Sequence, residues 1–352
     1  MAKGNKKNVF TENLLLWHKN ENNRLMPWKG ENDPYKIWLS EIILQQTRVE
    51  QGKDYYYKFI DKFATIHELA QANENDVFKL WEGLGYYSRC KNLIATAQFI
   101  SFELGGVFPT KYLDLLKLKG IGPYTASAIA SFAYNLPHAV VDGNVLRVLA
   151  RYFEINTPID SAEGKNNFAV LANDLLNKEK SAIYNQAIMD FGATICKPKQ
   201  PLCTNCIMQQ NCKAFYSKTV TALPVKQNKI TKKLRFFYYL IAEYNSNIYV
   251  QKRTEKDIWQ NLWEFILFEK ENKIEAKEIF ISKDFKNEIG DDYKICSISK
   301  FYKQQLTHQT IEGVFIHLIL NSPIKNSGYI ALSKNEIKQV AFPRFITKYF
   351  EA

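Results

Sequence analysis

The chain has 352 residues, 46% hydrophobic and 24% charged, with 47 basic against 36 acidic side chains and a formal net charge of +11. These are globular values over a length that suits two domains, so collagen-like, wholly disordered and disulfide-scaffold classes are excluded. No apolar run reaches the ~18 residues of a membrane helix, and the basic start Met1-Ala2-Lys3-Gly4-Asn5-Lys6-Lys7 has no apolar stretch behind it, so neither a membrane span nor a signal peptide is expected. The positive excess suits a polyanion such as nucleic acid, acidic protein or anionic lipid, or a plain solvated basic surface.

Residues up to about 218 read as helix with short connections. Asp33-Pro34 opens one helix, a capping side chain followed by proline in the first turn. Ile37, Trp38, Glu41, Ile42 and Gln45 recur at three- and four-residue spacing and share one side of it. Further helices are predicted at residues 75–81, 88–104 and 124–134, punctuated by Gly83, Gly85, Gly105 and Gly106. Gly120 and Gly122 bracket Ile121 ahead of Pro123, and both glycines are expected at positive φ. Such a turn aims unpaired amides outward at a helix N-terminus, where an anion is favoured. Val141-Asp142-Gly143-Asn144 reads locally as a turn and a helix cap.

Four of the six cysteines, Cys196, Cys203, Cys206 and Cys212, are separated by gaps of six, two and five residues. Thiolates crowded into one loop suit zinc or an iron–sulfur cluster, and the spacing leaves both open. Cys90 and Cys296 lie apart and read as apolar packing residues. Residues 225–235 hold five basic side chains and no acidic one, the composition of a mobile linker. Beyond it the texture is β: strands are predicted at 236–244, 248–253, 263–268, 295–301 and 314–320, a hairpin turn at Asn245-Ser246-Asn247 and a helix at 275–289. The expected division is a helical domain over 1–218, a basic linker over 219–233 and an α+β domain over 234–352.

Several segments resemble one family. The spacing C-x6-C-x2-C-x5-C is similar to the [4Fe–4S] loop of the endonuclease III and MutY group of DNA glycosylases. Residues 118–126, L-K-G-I-G-P-Y-T-A, resemble its helix-hairpin-helix, with Lys119 where proline is usual. Residues 141–147 match V-D-G-N-V-x-R. Residues 38–47, W-L-S-E-I-I-L-Q-Q-T, match the segment of MutY-type adenine DNA glycosylases, and endonuclease III relatives lack its glutamate. Pro27-Trp28-Lys29 resembles P-W-R, residues 83–89 match G-L-G-Y-Y-x-R, and Leu306-Thr307-His308 falls where the family has Phe-Ser-His. Asn261-Leu262-Trp263-Glu264-Phe265 resembles the G-L-W-E-F-P of the family's Nudix-like domain; no R-E-x-x-E-E run follows, so pyrophosphohydrolysis is not expected.

The resemblance implies an all-α helix-hairpin-helix glycosylase domain with an iron–sulfur cluster loop, plus a C-terminal α+β Nudix-like domain. It implies a monofunctional glycosylase of base excision repair that flips out adenine mispaired with 8-oxoguanine or guanine and hydrolyses its N-glycosidic bond. Carried over residue by residue, Glu41 protonates adenine at N7, Asp142 steadies the sugar cation, and Tyr124 and Asn144 orient Asp142 and the attacking water. Tyr124 stands where strand-cutting members carry lysine, and a phenol cannot form a Schiff base. Trp28 and Lys29 line the adenine pocket. Gln45, Gln46, Thr47 and Tyr86 meet the DNA, Gln46 and Tyr86 as wedges in the base stack. Gly120 and Gly122 take a phosphate, and Leu306, Thr307 and His308 contact 8-oxoguanine. Cys196, Cys203, Cys206 and Cys212 hold a [4Fe–4S] cluster. The implied partner is double-stranded DNA with A·8-oxoG or A·G mispairs; a monomer is expected, away from membranes, in a bacterial cytoplasm at the nucleoid. The rival readings are an endonuclease III-type glycosylase/lyase on oxidised pyrimidines and a non-enzymatic, zinc-bearing DNA-binding protein.

Overall fold

The computed structural model describes residues 3–228, 231–325 and 328–352. Met1 and Ala2 of the basic start, and Lys229 and Ile230 of the linker, lie outside the described residues. Helices come first: α1 (Lys3–Asn20), α2 (Pro34–Leu44), α3 (Val49–Lys62), α4 (Ile66–Gln71), α5 (Glu74–Trp81), α6 (Ser88–Gln98), α7 (Tyr112–Leu115), α8 (Pro123–Tyr134), α9 (Gly143–Phe153), α10 (Ala162–Leu175), α11 (Ser181–Thr194) and α12 (Lys213–Tyr216). Asp33 caps α2 as expected, its Oδ1 accepting the Tyr35 N–H at 2.9 Å. The helix predicted over 88–104 is α6 followed by a π-helical turn at Phe99–Glu103. Among the described residues no helix is long and apolar enough to cross a membrane.

Two compact units result, one of residues 1–70 and 95–228, the other of residues 71–94 and 229–352. In the first, α2 packs on α8, and α9 and α1 pack on α11. Trp17, Val145, Leu149 and Phe191 sit in its core, the Trp17 and Phe191 rings edge-to-face at 5.0 Å. The segment expected to be a mobile linker is partly anchored. Val225 O accepts Ile159 N–H at 3.0 Å, and the two Asp160 carboxylate oxygens accept the Gln227 and Asn228 N–H groups, each at 2.9 Å. A single acidic side chain 67 residues upstream of Gln227 does what local composition could not reveal, while Lys233 to Arg235 already belong to the first strand.

That strand, β1 (Lys233–Tyr244), is followed by β2 (Asn247–Lys252), β3 (Trp263–Lys270), α13 (Ala276–Phe280), α14 (Lys283–Glu288), β4 (Tyr293–Ile298), β5 (Tyr302–Gln305), β6 (Gln309–Leu320), β7 (Ile330–Ser333), α15 (Lys334–Gln339) and α16 (Arg344–Phe350). The sheet order is β4-β6-β1-β3-β2-β7, with β5 on β6. β1 and β6 run parallel, from Lys233 opposite Gln309 to Glu243 opposite Ile319, and the other pairings are antiparallel. The expected hairpin turn is present, with Asn245 and Ser246 both left-handed at φ 48° and 64°. The helix expected over 275–289 is broken in two, because the Ser282 hydroxyl accepts the Phe285 N–H and starts α14 afresh.

Candidate active site

A cavity of about 450 Å³ in the first unit brings the predicted carboxylates together. Glu41, Tyr124, Asp142 and Asn144 line it, as do Trp28, Lys29 and Thr47. His18, Arg24 and Gln186 line it too, and no motif had singled them out.

Glu41 projects from α2 and is 5% exposed. Burial lifts its carboxyl from 4.5 to about 7; the Tyr124 hydroxyl, bonded to it, opposes the rise, and the charge of Asp142 adds to it. Burial, with Glu41 and Asp142 beside it, raises the Tyr124 phenol well above its usual value, so Tyr124 acts here as a donor. Asp142 is the N-cap of α9. Its Oδ1 accepts the Val145 N–H at 2.8 Å and its Oδ2 accepts Asn144 Nδ2 at 2.6 Å. Burial raises its carboxyl, while those bonds and the Arg147 charge pull it down. Cap and cavity carboxylate are therefore the same group.

Asn144 is itself held. Arg147 Nη2 donates to Asn144 Oδ1 at 2.8 Å and to Gly192 O at 2.7 Å, and its Nε donates to Cys196 O at 2.8 Å. A Cβ at Gly192 would sit 2.6 Å from Asn144 Cβ and 3.0 Å from Asn144 O, so only glycine lets α11 press against the first turn of α9. A lone glycine inside a helical pattern was the available signal. Behind Arg24 and Lys29 of the cavity wall, the fully buried Asp190 accepts Arg24 Nη1 and Asn22 Nδ2 at 2.9 Å each and lies 3.3 Å from Lys29 Nζ. Lys29 Nζ also donates to Arg24 O at 2.9 Å. Trp28 is buried, edge-to-face with Tyr56 at 5.4 Å.

Gln45 Nε2 donates to Thr125 Oγ1 at 3.2 Å, tying the end of α2 to α8. Gln46 is exposed and left-handed at φ 58°, and Thr47 N–H returns to Leu44 O at 3.1 Å. In the hairpin the expectation for the glycines is half corrected. Gly120 has φ 78°, but Gly122, the N-cap of α8, has φ −93°, which any residue adopts. Nothing lies within 4 Å of where a Gly122 Cβ would be, so the missing side chain leaves the start of α8 uncovered.

Cys196, Cys203, Cys206 and Cys212 line one cavity of about 30 Å³, with Ile195, Leu202, Met208 and Phe215 among its apolar walls. Burial pushes the Cys206 thiol up to about 12 and raises Cys203 and Cys212 as well. Arg151 Nη1 donates to Lys197 O at 2.7 Å and to Cys196 Sγ at 3.4 Å. Among the described residues no three His, Cys, Asp or Glu side chains are grouped as one bound metal ion requires.

In the second unit, Tyr86 is left-handed at φ 49° and 44% exposed, and its hydroxyl bonds Thr307 Oγ1 at 2.5 Å. Leu306 N–H donates to Gln309 O at 2.7 Å, and the exposed His308 accepts Lys233 N–H on its carbonyl at 2.9 Å. Glu264 is buried against Arg253. Glu275 and Glu278 close a capping box on α13.

The helical unit and its hairpin define a class. Residues 39–171 match the HhH-GPD superfamily of base excision DNA repair proteins, and residues 237–352 match the NUDIX domain. The adenine DNA glycosylase of Buchnera aphidicola subsp. Baizongia pistaciae is 33% identical over 97% of this chain and 95% of its own length. That of Mus musculus is 40% identical over 59% of this chain and 42% of its own. A thermostable thymine-DNA glycosylase structure aligns with a TM-score of 0.57 at 29% identity, covering 62% of this chain and all of that one. The chain belongs to the adenine DNA glycosylase family.

Proposed function

We propose that the chain is a monofunctional glycosylase that removes adenine mispaired with 8-oxoguanine or guanine in double-stranded DNA. The observation that carries this is the meeting, in one cavity, of a buried carboxyl held near 7 and a second carboxylate capped by backbone and amide donors. Glu41 supplies the proton. Protonated in part at neutral pH, it gives its hydrogen to N7 of the extruded base, and the electron pair of the breaking C–N bond leaves with the base. Positive charge then grows on the sugar, where ionised Asp142 stabilises it until water adds. Asn144 fixes the aspartate, and Tyr124 holds Glu41.

Gly120 and the uncovered start of α8 suit a backbone phosphate. Gln46 and Tyr86, both exposed on left-handed backbone, are the wedges that fill the space of the extruded base, and Gln45 and Thr47 flank the first of them. Leu306, Thr307 and His308 read 8-oxoguanine. Four thiols around one apolar-walled cavity, with Arg151 against Cys196 Sγ, fit a [4Fe–4S] cluster held by Cys196, Cys203, Cys206 and Cys212. When bound, the cluster cross-links the loop that Arg147 and Arg151 tie to α9. The endonuclease III-type alternative is not favoured: Tyr124 offers no amine, and Glu41 has no counterpart there. A monomer in the bacterial cytoplasm, working at the nucleoid, completes the reading.

The test is a single-turnover assay on a duplex with adenine opposite 8-oxoguanine and on an A·T control, each read with and without alkali. Cleavage of the lesion duplex after alkali only is expected. Cleavage without alkali would mean a lyase, and no cleavage by iron-loaded protein would overturn the proposal.

A further inference from the structure

We propose that His18 is the neutral hydrogen-bond donor of the base cavity, its Nε2–H taking a ring nitrogen of the extruded adenine other than N7. This rests on the function proposed above and adds a specificity residue to it.

The argument starts at Asp190. An ionised carboxylate only accepts, so Asn22 must turn its NH2 toward Asp190 Oδ2, and the Asn22 amide oxygen in turn accepts Arg24 N–H at 3.2 Å. The same Asn22 nitrogen lies 2.9 Å from His18 Nδ1. His18 Nδ1 is therefore an acceptor, and the hydrogen of the neutral ring belongs on Nε2. Burial and the Lys29 cation lower the pKa of His18, against the pull of Asp190, which keeps the ring neutral. The two cations that share the cavity, Arg24 and Lys29, are engaged by Asp190. Among the described residues no other hydrogen bond to the His18 ring occurs, so Nε2–H is left for a ligand in the cavity that His18 lines beside Glu41 and Asp142. Adenine offers N1, N3 and N7 as acceptors. Glu41 takes N7, which leaves N1 or N3.

The experiment crosses variants with base analogues. Wild type, His18→Phe and His18→Gln are compared in single-turnover release of adenine, 1-deazaadenine, 3-deazaadenine and 7-deazaadenine, each opposite 8-oxoguanine. His18→Phe should release adenine about tenfold more slowly, the size of one neutral hydrogen bond. It should then show no added loss with either the 1-deaza or the 3-deaza base, whichever costs wild type about tenfold. His18→Gln, which keeps an N–H at similar reach, should restore most of the rate and the sensitivity to that analogue. Losses that multiply for both analogues, or an unchanged rate in His18→Phe, would overturn the proposal. Failure of wild type to release adenine at all would instead overturn the function on which it rests.

Discussion

Replacing Glu41 by glutamine should make the protein inactive and more stable at once. The Glu41 carboxyl is held at about 7 in the fold against 4.5 when free. At about 1.4 kcal/mol per pH unit, the fold loses about 3 kcal/mol once pH exceeds both values. The sign follows from the direction of the shift. A raised carboxyl stabilises the fold fully below about 4.5, and that stability is lost as pH rises to about 7. Glutamine keeps the shape and still accepts the Tyr124 hydroxyl, but it does not titrate. Urea unfolding of both proteins between about pH 5 and about pH 8.5 should show Glu41→Gln ahead by a margin that widens by about 2 kcal/mol as pH rises. Base release should fall at least ~100-fold, the contribution of a positioned general acid. Parallel stability curves would refute the reasoning, because they would mean that Glu41 does not titrate against its burial.

In the wild type, single-turnover adenine release should decline above about pH 7 as Glu41 loses its proton, and a rate flat to pH 9 would count against its role as acid. Asp142→Asn should abolish release while leaving affinity for the mispaired duplex nearly intact, since the charge acts at the transition state; gel-shift titration beside single-turnover kinetics checks this. Gly192→Ala should force Asn144 to move by about 1 Å, costing about 1–3 kcal/mol of stability and on the order of 100-fold in release, whereas Gly143→Ala, whose Cβ meets nothing within 4 Å, should cost far less in both. Affinity for DNA should fall steeply as salt rises, because a chain of net charge +11 displaces counterions from phosphates; a flat logarithmic plot of binding constant against salt would contradict that.

Much of this was legible in the chain because its chemistry is written in short contiguous runs. Residues 38–47 and 141–147 carry the carboxylates, and the cysteine spacing marks the loop at 196–212. Residues that act through contacts made far along the chain were not legible. Arg147 closes the V-D-G-N-V-x-R run, but what it does is unread until it bonds Asn144 and Cys196 O together. Gly192 is a helix weakness until α9 lies against it. Asn22, Arg24 and Asp190 become one network only when α1 and α11 meet. In the second unit β5 and β7 are four residues each, too short to leave a period, and a serine hydroxyl split the helix expected over 275–289.

The grouping of residues 71–94 with 229–352 bears on how this chain can be cut. The base excision family match runs unbroken from 39 to 171. Yet within the second unit Lys79 Nζ donates to Val340 O at 3.0 Å, and Glu82 Oε1 accepts Phe342 N–H at 2.8 Å. Tyr86 meets Thr307 there as well. A recombinant fragment ending at 228 would keep Lys79, Glu82 and Tyr86 and discard the backbone and hydroxyl that answer them. A stretch of the first sequence family thus belongs to the second compact unit, and a gene truncated at its linker encodes one whole unit together with an orphaned piece of the other.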